Sequence, residues 1–116
     1  MSIKIYHNPR CSKSRQTLEI IREAGAEPEI VEYLKDPLSI EEIKAILKTM
    51  AVNDPREIMR PKETIYKELG LDNENSSKDV LVRAIAENPI LLERPIVITD
   101  KGACLGRPPE NVKEIL

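Results

Sequence analysis

Cys11 stands where a thiol would be reactive. It follows a strand-like run over residues 3–6, in the stretch His7-Asn8-Pro9-Arg10-Cys11-Ser12-Lys13-Ser14-Arg15, and the residues after it read as a helix. A side chain at such a junction faces backbone N–H groups without intrahelical partners and the positive end of the helix dipole. Arg10, Lys13 and Arg15 add positive charge, and no acid appears before Glu19. These features favour thiolate, the reactive form, over thiol. The same field attracts an anion, so a nucleophile and an oxyanion seat in one place predict chemistry on an oxyanion.

The fourth position of the Cys-x-x-x window is Ser14, so Cys11 has no neighbouring thiol with which to close a local disulfide. A covalent intermediate on Cys11 would have to be resolved by another thiol, most simply a small-molecule thiol such as glutathione. A phosphatase-type loop would place an arginine six residues after the cysteine, and that position is Thr17. Arginine ligands must therefore come from elsewhere. Arg60, Arg94 and Arg107 share one property, a following proline (Pro61, Pro95 and Pro108), which puts each at the end of an element. Two roles are open for Ser14, satisfying N–H groups at the helix start or donating to a bound oxyanion. His7 either lowers the thiol pKa as an imidazolium or hydrogen-bonds the loop, and the second role is the expectation. Asn8 is read as a loop organiser and Pro9 as a rigid spacer. Cys104, the second cysteine, is read as a half-buried strand residue rather than a second redox thiol.

The elements that must position these groups follow from periodicity. Ile3 and Ile5 alternate with Lys4 and Tyr6, a strand; Ser14, Thr17, Leu18, Ile21 and Ala24 form a helical stripe that Gly25 closes; residues 29–33 form a second strand. A strand, helix and strand in that order predict a right-handed parallel unit. A helical block follows. Ser39 with Glu42 makes a capping box ahead of Ile40, Ile43, Ile46, Leu47 and Met50; Asp54-Pro55 starts a short helix; Thr64 to Leu69 gives another turn or two; Val80, Leu81, Ala84 and Ile85 mark a last amphipathic helix. Residues 95–99 are then a strand, Asp100-Lys101-Gly102 a tight turn, residues 103–106 the partner strand, and Pro108-Pro109-Glu110 opens a terminal helix. The expected fold is α/β and thioredoxin-like: a mixed four-stranded sheet with a helical insertion, about 39–89, between β-α-β and β-β-α halves. Arg94-Pro95 falls where that plan places a cis-proline beside the thiol.

Composition narrows the function. The chain has 116 residues, 41% of them hydrophobic and 33% charged, which fits one domain over 1–116. Its net charge of -2 and three scattered tyrosines argue against nucleic-acid binding. No apolar run is long enough for a membrane span or resembles a signal peptide, so a cytoplasmic protein with reduced thiols is expected. Two cysteines and one histidine at these spacings give no metal site.

His7-Asn8-Pro9-x-Cys11, Arg60, Arg94-Pro95-Ile96-Val97 and Gly106-Arg107-Pro108 resemble the glutaredoxin-coupled arsenate reductase family, in order and spacing, over essentially the whole chain. The resemblance implies a cytoplasmic enzyme that reduces arsenate to arsenite. It implies no bound cofactor, glutathione as co-substrate and glutaredoxin as partner. It makes Cys11 the nucleophile, Arg60, Arg94 and Arg107 the oxyanion ligands, and His7, Asn8, Ser14 and Pro95 supporting residues. Two alternatives compete. Fold-related redox regulators bind RNA polymerase, but they often carry Cys-x-x-Cys, which Ser14 breaks, and no apolar patch or charged face in the sequence marks a polymerase surface. A general monothiol glutathione-dependent oxidoreductase would act on mixed disulfides and use the arginines for glutathione carboxylates.

Overall fold

The computed structural model describes residues 2–116. The chain forms two compact units; the first runs to Asp36 and resumes at Arg94, and the second is Pro37–Glu93.

The first unit is built on a four-stranded sheet of order β2-β1-β3-β4, with β1 Ile3–Tyr6, β2 Glu29–Val31, β3 Ile96–Thr99 and β4 Gly102–Leu105. β1 is parallel to β2 and antiparallel to β3, and β3 is antiparallel to β4. Helix α1, Ser12–Glu23, makes the crossover from β1 to β2. The alternation read in the sequence has a direct consequence here: Ile3 and Ile5 pack with Leu18 and Ile21 of α1, with Val97 of β3 and with Val112. Each such side chain contributes about 1.5–3 kcal/mol by leaving water. The chain ends in a 3₁₀ segment, Pro109–Ile115, whose Ile115 carbonyl accepts a 2.6 Å hydrogen bond from the Thr99 hydroxyl.

Three local expectations are corrected in this unit. β2 stops at Val31 rather than at residue 33, because the chain turns at Glu32, whose carbonyl accepts from the N–H groups of Lys35 and Asp36. Ala24 is exposed, since α1 ends at Glu23 and Ala24 is its C-cap. The hairpin closes one residue earlier than expected: Gly102 pairs with Thr99 inside the ladder, which leaves Gly106 beyond the end of β4.

The second unit is helical. α2, Ile40–Thr49, begins with the capping box, Ser39 Oγ accepting from Glu42 N and Glu42 Oε1 from Ser39 N, both at 3.1 Å. A 3₁₀ turn, Pro55–Ile58, is capped by Asp54; α3 is Thr64–Glu68; α4, Lys78–Glu87, is capped by Ser77. Ile43, Ile46, Ile58, Leu81 and Ile85 form part of its buried interior. Leu81, Ala84 and Ile85 face inward as expected, but Val80 departs from that stripe and is 52% exposed, and Val82 is buried in its place. Val80 and the half-exposed Leu69 line a groove of about 340 Å³ on this unit. A single antiparallel bridge, Met59 to Leu92, is flanked by hydrogen bonds from Arg60 N to Leu91 O and from Glu93 N to Ile58 O, each 2.8 Å. Among the described residues, no helix is long and apolar enough to cross a membrane.

Candidate functional site

Cys11 is the N-cap of α1, with extended backbone (φ -92°, ψ 123°) and no acid in the first helical turn. The loop before it is fastened by its own backbone and by Asn8. Cys11 N donates to Asn8 O (3.0 Å), Arg10 N donates to Asn8 Oδ1 (3.0 Å), and Arg15 Nη1 donates to Pro9 O (2.9 Å). Behind the loop lies a buried cluster. Ser14 Oγ accepts from Asn8 N at 3.1 Å and stands 2.6 Å from His7 Nδ1. The serine hydroxyl has two acceptor sites and one proton, so it closes this hydrogen bond with either tautomer of His7. Burial lowers the His7 pKa, Arg22 and Arg15 lower it further, and Glu32 opposes them. His7 is therefore neutral near pH 7 and brings no cation to the thiol. Ser14 is fully buried, so its hydroxyl organises the loop and is not presented to a ligand.

The half-buried sulfur of Cys11 meets four donors. The N–H groups of Ser14 and Lys13 face it without closing a capping hydrogen bond. The Arg94 guanidinium hydrogen-bonds to it, and Arg107 Nη2 lies 3.6 Å from Sγ. Burial pushes the thiol pKa up, but the Ser14 N–H, Arg94 and the Lys13 N–H together outweigh it, and the net shift is downward from the ordinary 9.0. Each donor favours the thiolate because it satisfies charge the sulfur carries only when ionised.

Topology explains how two distant arginines reach one sulfur. β3 runs antiparallel to β1, so Arg94, just before β3, lies at the end of the sheet from which the Cys11 loop emerges. Arg107 arrives after β4, and its Nε donates to the Arg94 carbonyl at 2.7 Å. Both Arg94-Pro95 and Arg107-Pro108 are cis peptide bonds. Pro95 is buried, and its carbonyl accepts from Gly106 N at 2.9 Å. That bond draws the end of β4 against α1 so tightly that a Cβ on Gly106 would overlap Thr17 and lie 2.8 Å from Pro95 Cγ. Gly106→Ala is expected to cost about 1–3 kcal/mol of stability through overpacking, read as a lower midpoint in urea with the slope unchanged.

Arg60 belongs to the helical unit. Its Nη1 donates to Glu93 at 2.9 Å and its Nε to Glu63 at 3.2 Å, so its guanidinium is shared by two carboxylates. Glu63 could have been found from its i+3 spacing across the turn that Glu63 N closes onto Arg60 O. Glu93 could not, because only the Met59–Leu92 bridge carries it there. Cys104 lies in β4 opposite Val97, packed against the core; burial first and Glu114 second push its thiol up to about 11. Among the described residues, no group of three or more His, Cys, Asp or Glu side chains could hold a metal ion.

A thioredoxin-like sheet with one cysteine at the start of its first helix, and two arginines beside that sulfur, defines a class: thiol proteins whose cysteine is lowered in pKa by neighbouring N–H and guanidinium donors. Comparison with known proteins is consistent with this class and narrows it. The chain belongs to the ArsC family, which it matches over residues 6–115. It is 50% identical over 114 residues to the uncharacterised Escherichia coli protein YfgD, covering 98% of this chain and 96% of that one. It is also 50% identical over 114 residues to the arsenate reductase of Neisseria meningitidis serogroup A, covering 98% and 97%. The solved arsenate reductase from Vibrio cholerae superposes with a TM-score of 0.97 at 48% identity, covering 100% of this chain and 98% of that one.

Proposed function

We propose that this protein reduces arsenate to arsenite, with Cys11 as nucleophile, Arg94 and Arg107 as oxyanion ligands at the sulfur, and glutathione and glutaredoxin as the source of electrons. The observation that carries the reading is the convergence of two guanidinium groups and the start of α1 on a single thiol whose pKa is lowered. Arsenate is a tetrahedral anion, and guanidinium forks bind such oxygens in pairs. The Cys11 thiolate forms a sulfur–arsenic bond and one arsenate oxygen leaves as water after protonation. The glutathione thiolate then bonds to the Cys11 sulfur. The sulfur–arsenic electron pair stays on arsenic, which departs as arsenite, two electrons richer. Glutaredoxin returns the resulting mixed disulfide to thiol by exchange.

An external thiol is favoured by the state of the chain's other cysteine. Cys104 is packed against the core and its pKa is raised, which makes it a poor attacking thiolate at neutral pH. Cys104→Ser is expected to leave turnover unchanged, measured as arsenite formed per minute with glutathione and glutaredoxin. The reading itself is tested by arsenate-dependent oxidation of glutathione in the presence of glutaredoxin, run beside a glutathione mixed-disulfide substrate without arsenate and beside thioredoxin in place of glutaredoxin. Arsenate-dependent turnover that needs glutathione and glutaredoxin is the expected result. Turnover on the mixed disulfide alone would make the protein a general monothiol reductase, and turnover with thioredoxin alone would overturn the glutathione route.

A further inference from the structure

Tyr33 was given no role by its position in the sequence, yet it is 0% exposed and lies beside the functional thiol's partner. The parallel pairing of β1 and β2 sets their C-terminal ends side by side: Tyr6 is in register with Val31, and His7 N donates to Val31 O at 2.8 Å. β3 starts at that same end, with Ile96 opposite Tyr6. Cys11 after β1, Tyr33 after β2 and Arg94 before β3 therefore emerge at one edge of the sheet. There the Arg94 guanidinium lies within electrostatic reach of both the Cys11 sulfur and the Tyr33 hydroxyl.

We propose that Tyr33 is a positioning residue for the chemistry at Cys11: its hydroxyl accepts a hydrogen bond from Arg94 and holds that guanidinium in the rotamer that faces the sulfur. An arginine without such an anchor spreads over many rotamers, and the fraction of time it spends beside the thiolate falls accordingly. A buried tyrosine makes a rigid anchor, because two torsions fixed by packing place its oxygen. The guanidinium has five donors in a planar fork, so it can serve Tyr33 and Cys11 and still present N–H groups to a bound oxyanion. Arg107 reaches the sulfur from the segment after β4, and its own anchor is the Arg94 main-chain carbonyl. Tyr33 therefore acts on the thiol through the Arg94 side chain alone. The inference rests on Cys11 being the nucleophile of the proposed function.

The test is Tyr33→Phe, which keeps the ring, made in a Cys104→Ser background so that one thiol remains. Iodoacetamide alkylation of Cys11 is followed against pH. The inflection is expected to rise by at least about half a pH unit, a threefold loss of thiolate on the flank below it, with an unchanged thermal midpoint. In an Arg94→Ala background the same substitution is expected to produce no further shift. An unmoved inflection in folded Tyr33→Phe, or an equal shift with and without Arg94, overturns the proposal. If Tyr33→Phe does not fold, side-chain ¹⁵N NMR of the wild-type protein decides: slowed rotation of the Arg94 Nη groups with cross-peaks to the Tyr33 ring supports the anchor, and their absence overturns it. Failure of the functional reading looks different, since wild-type Cys11 would then titrate at its ordinary value in the same experiment.

Discussion

Cys11→Ser is expected to lower arsenate turnover at least about 10³-fold while leaving the protein as stable as wild type or more so. The loss has two sources. A serine hydroxyl is not ionised near neutral pH, so the two arginines and the N–H groups of α1 have no anion to stabilise and no nucleophile forms. The oxygen also cannot accept a glutathione sulfur in place of arsenic, so the electron-transfer step is lost even if an ester forms. The stability expectation follows from the local geometry. The loop is held by main-chain bonds from Cys11 N to Asn8 O and from Arg15 N to Cys11 O, both 3.0 Å, which serine keeps. The wild-type sulfur closes no capping hydrogen bond, whereas serine is among the best N-cap residues and gains up to about 1 kcal/mol there. Arsenite production and thermal unfolding, measured on one preparation, check both halves. Residual turnover within tenfold of wild type would remove Cys11 from the mechanism.

The strand–helix–strand start, the capping box and the closing hairpin were legible in the sequence because each is set by local chemistry: alternation in Ile3–Tyr6, the Ser39–Glu42 pair, and the short Asp100-Lys101 turn. Errors arose where local signals tie or where tertiary context decides. Val80 and Leu81 are adjacent apolar residues on α4, and periodicity alone did not say which turns inward. β2 looked two residues longer because Glu32 and Tyr33 suit a strand, but hydrogen bonds to the Glu32 carbonyl end it. At the site, Cys11 announced itself through its position and neighbours. Arg94 and Arg107 were nominated by their following prolines and by resemblance, and their approach to the sulfur depends on strand order that no short window of sequence contains. Tyr33 gave no signal, since a tyrosine at the end of a strand-like run is ordinarily a packing residue. Gly106 was visible only as part of a motif; the close approach of Thr17 and Pro95 that demands glycine is a product of packing.

Arg94→Ala is expected to reduce kcat/KM for arsenate about 10²–10³-fold, the scale of removing one strong donor from a developing oxyanion. Two effects of the same sign add. The first acts on the nucleophile: Arg94 is among the groups that lower the Cys11 pKa, so its loss moves the alkylation inflection up toward the ordinary 9.0 and leaves less thiolate at neutral pH. The second acts on the substrate, which loses one of the guanidinium forks at the sulfur. pH separates them. Raising the pH above the mutant's inflection restores the thiolate but not the fork, so only the first effect is recovered. Arg94→Lys gives the complementary result, because the charge is kept while the fork geometry is lost; the inflection stays low and turnover remains impaired. The stability of the folded state must follow the same group. Its folded pKa is depressed, so this contribution is complete above about 9.0, declines as the pH falls below that, and vanishes beneath the folded value. Urea unfolding of wild type and Arg94→Ala across that window should therefore diverge most at high pH and converge at low pH. The Arg94 assignment does not survive an Arg94→Ala protein with an unmoved inflection and turnover close to wild type.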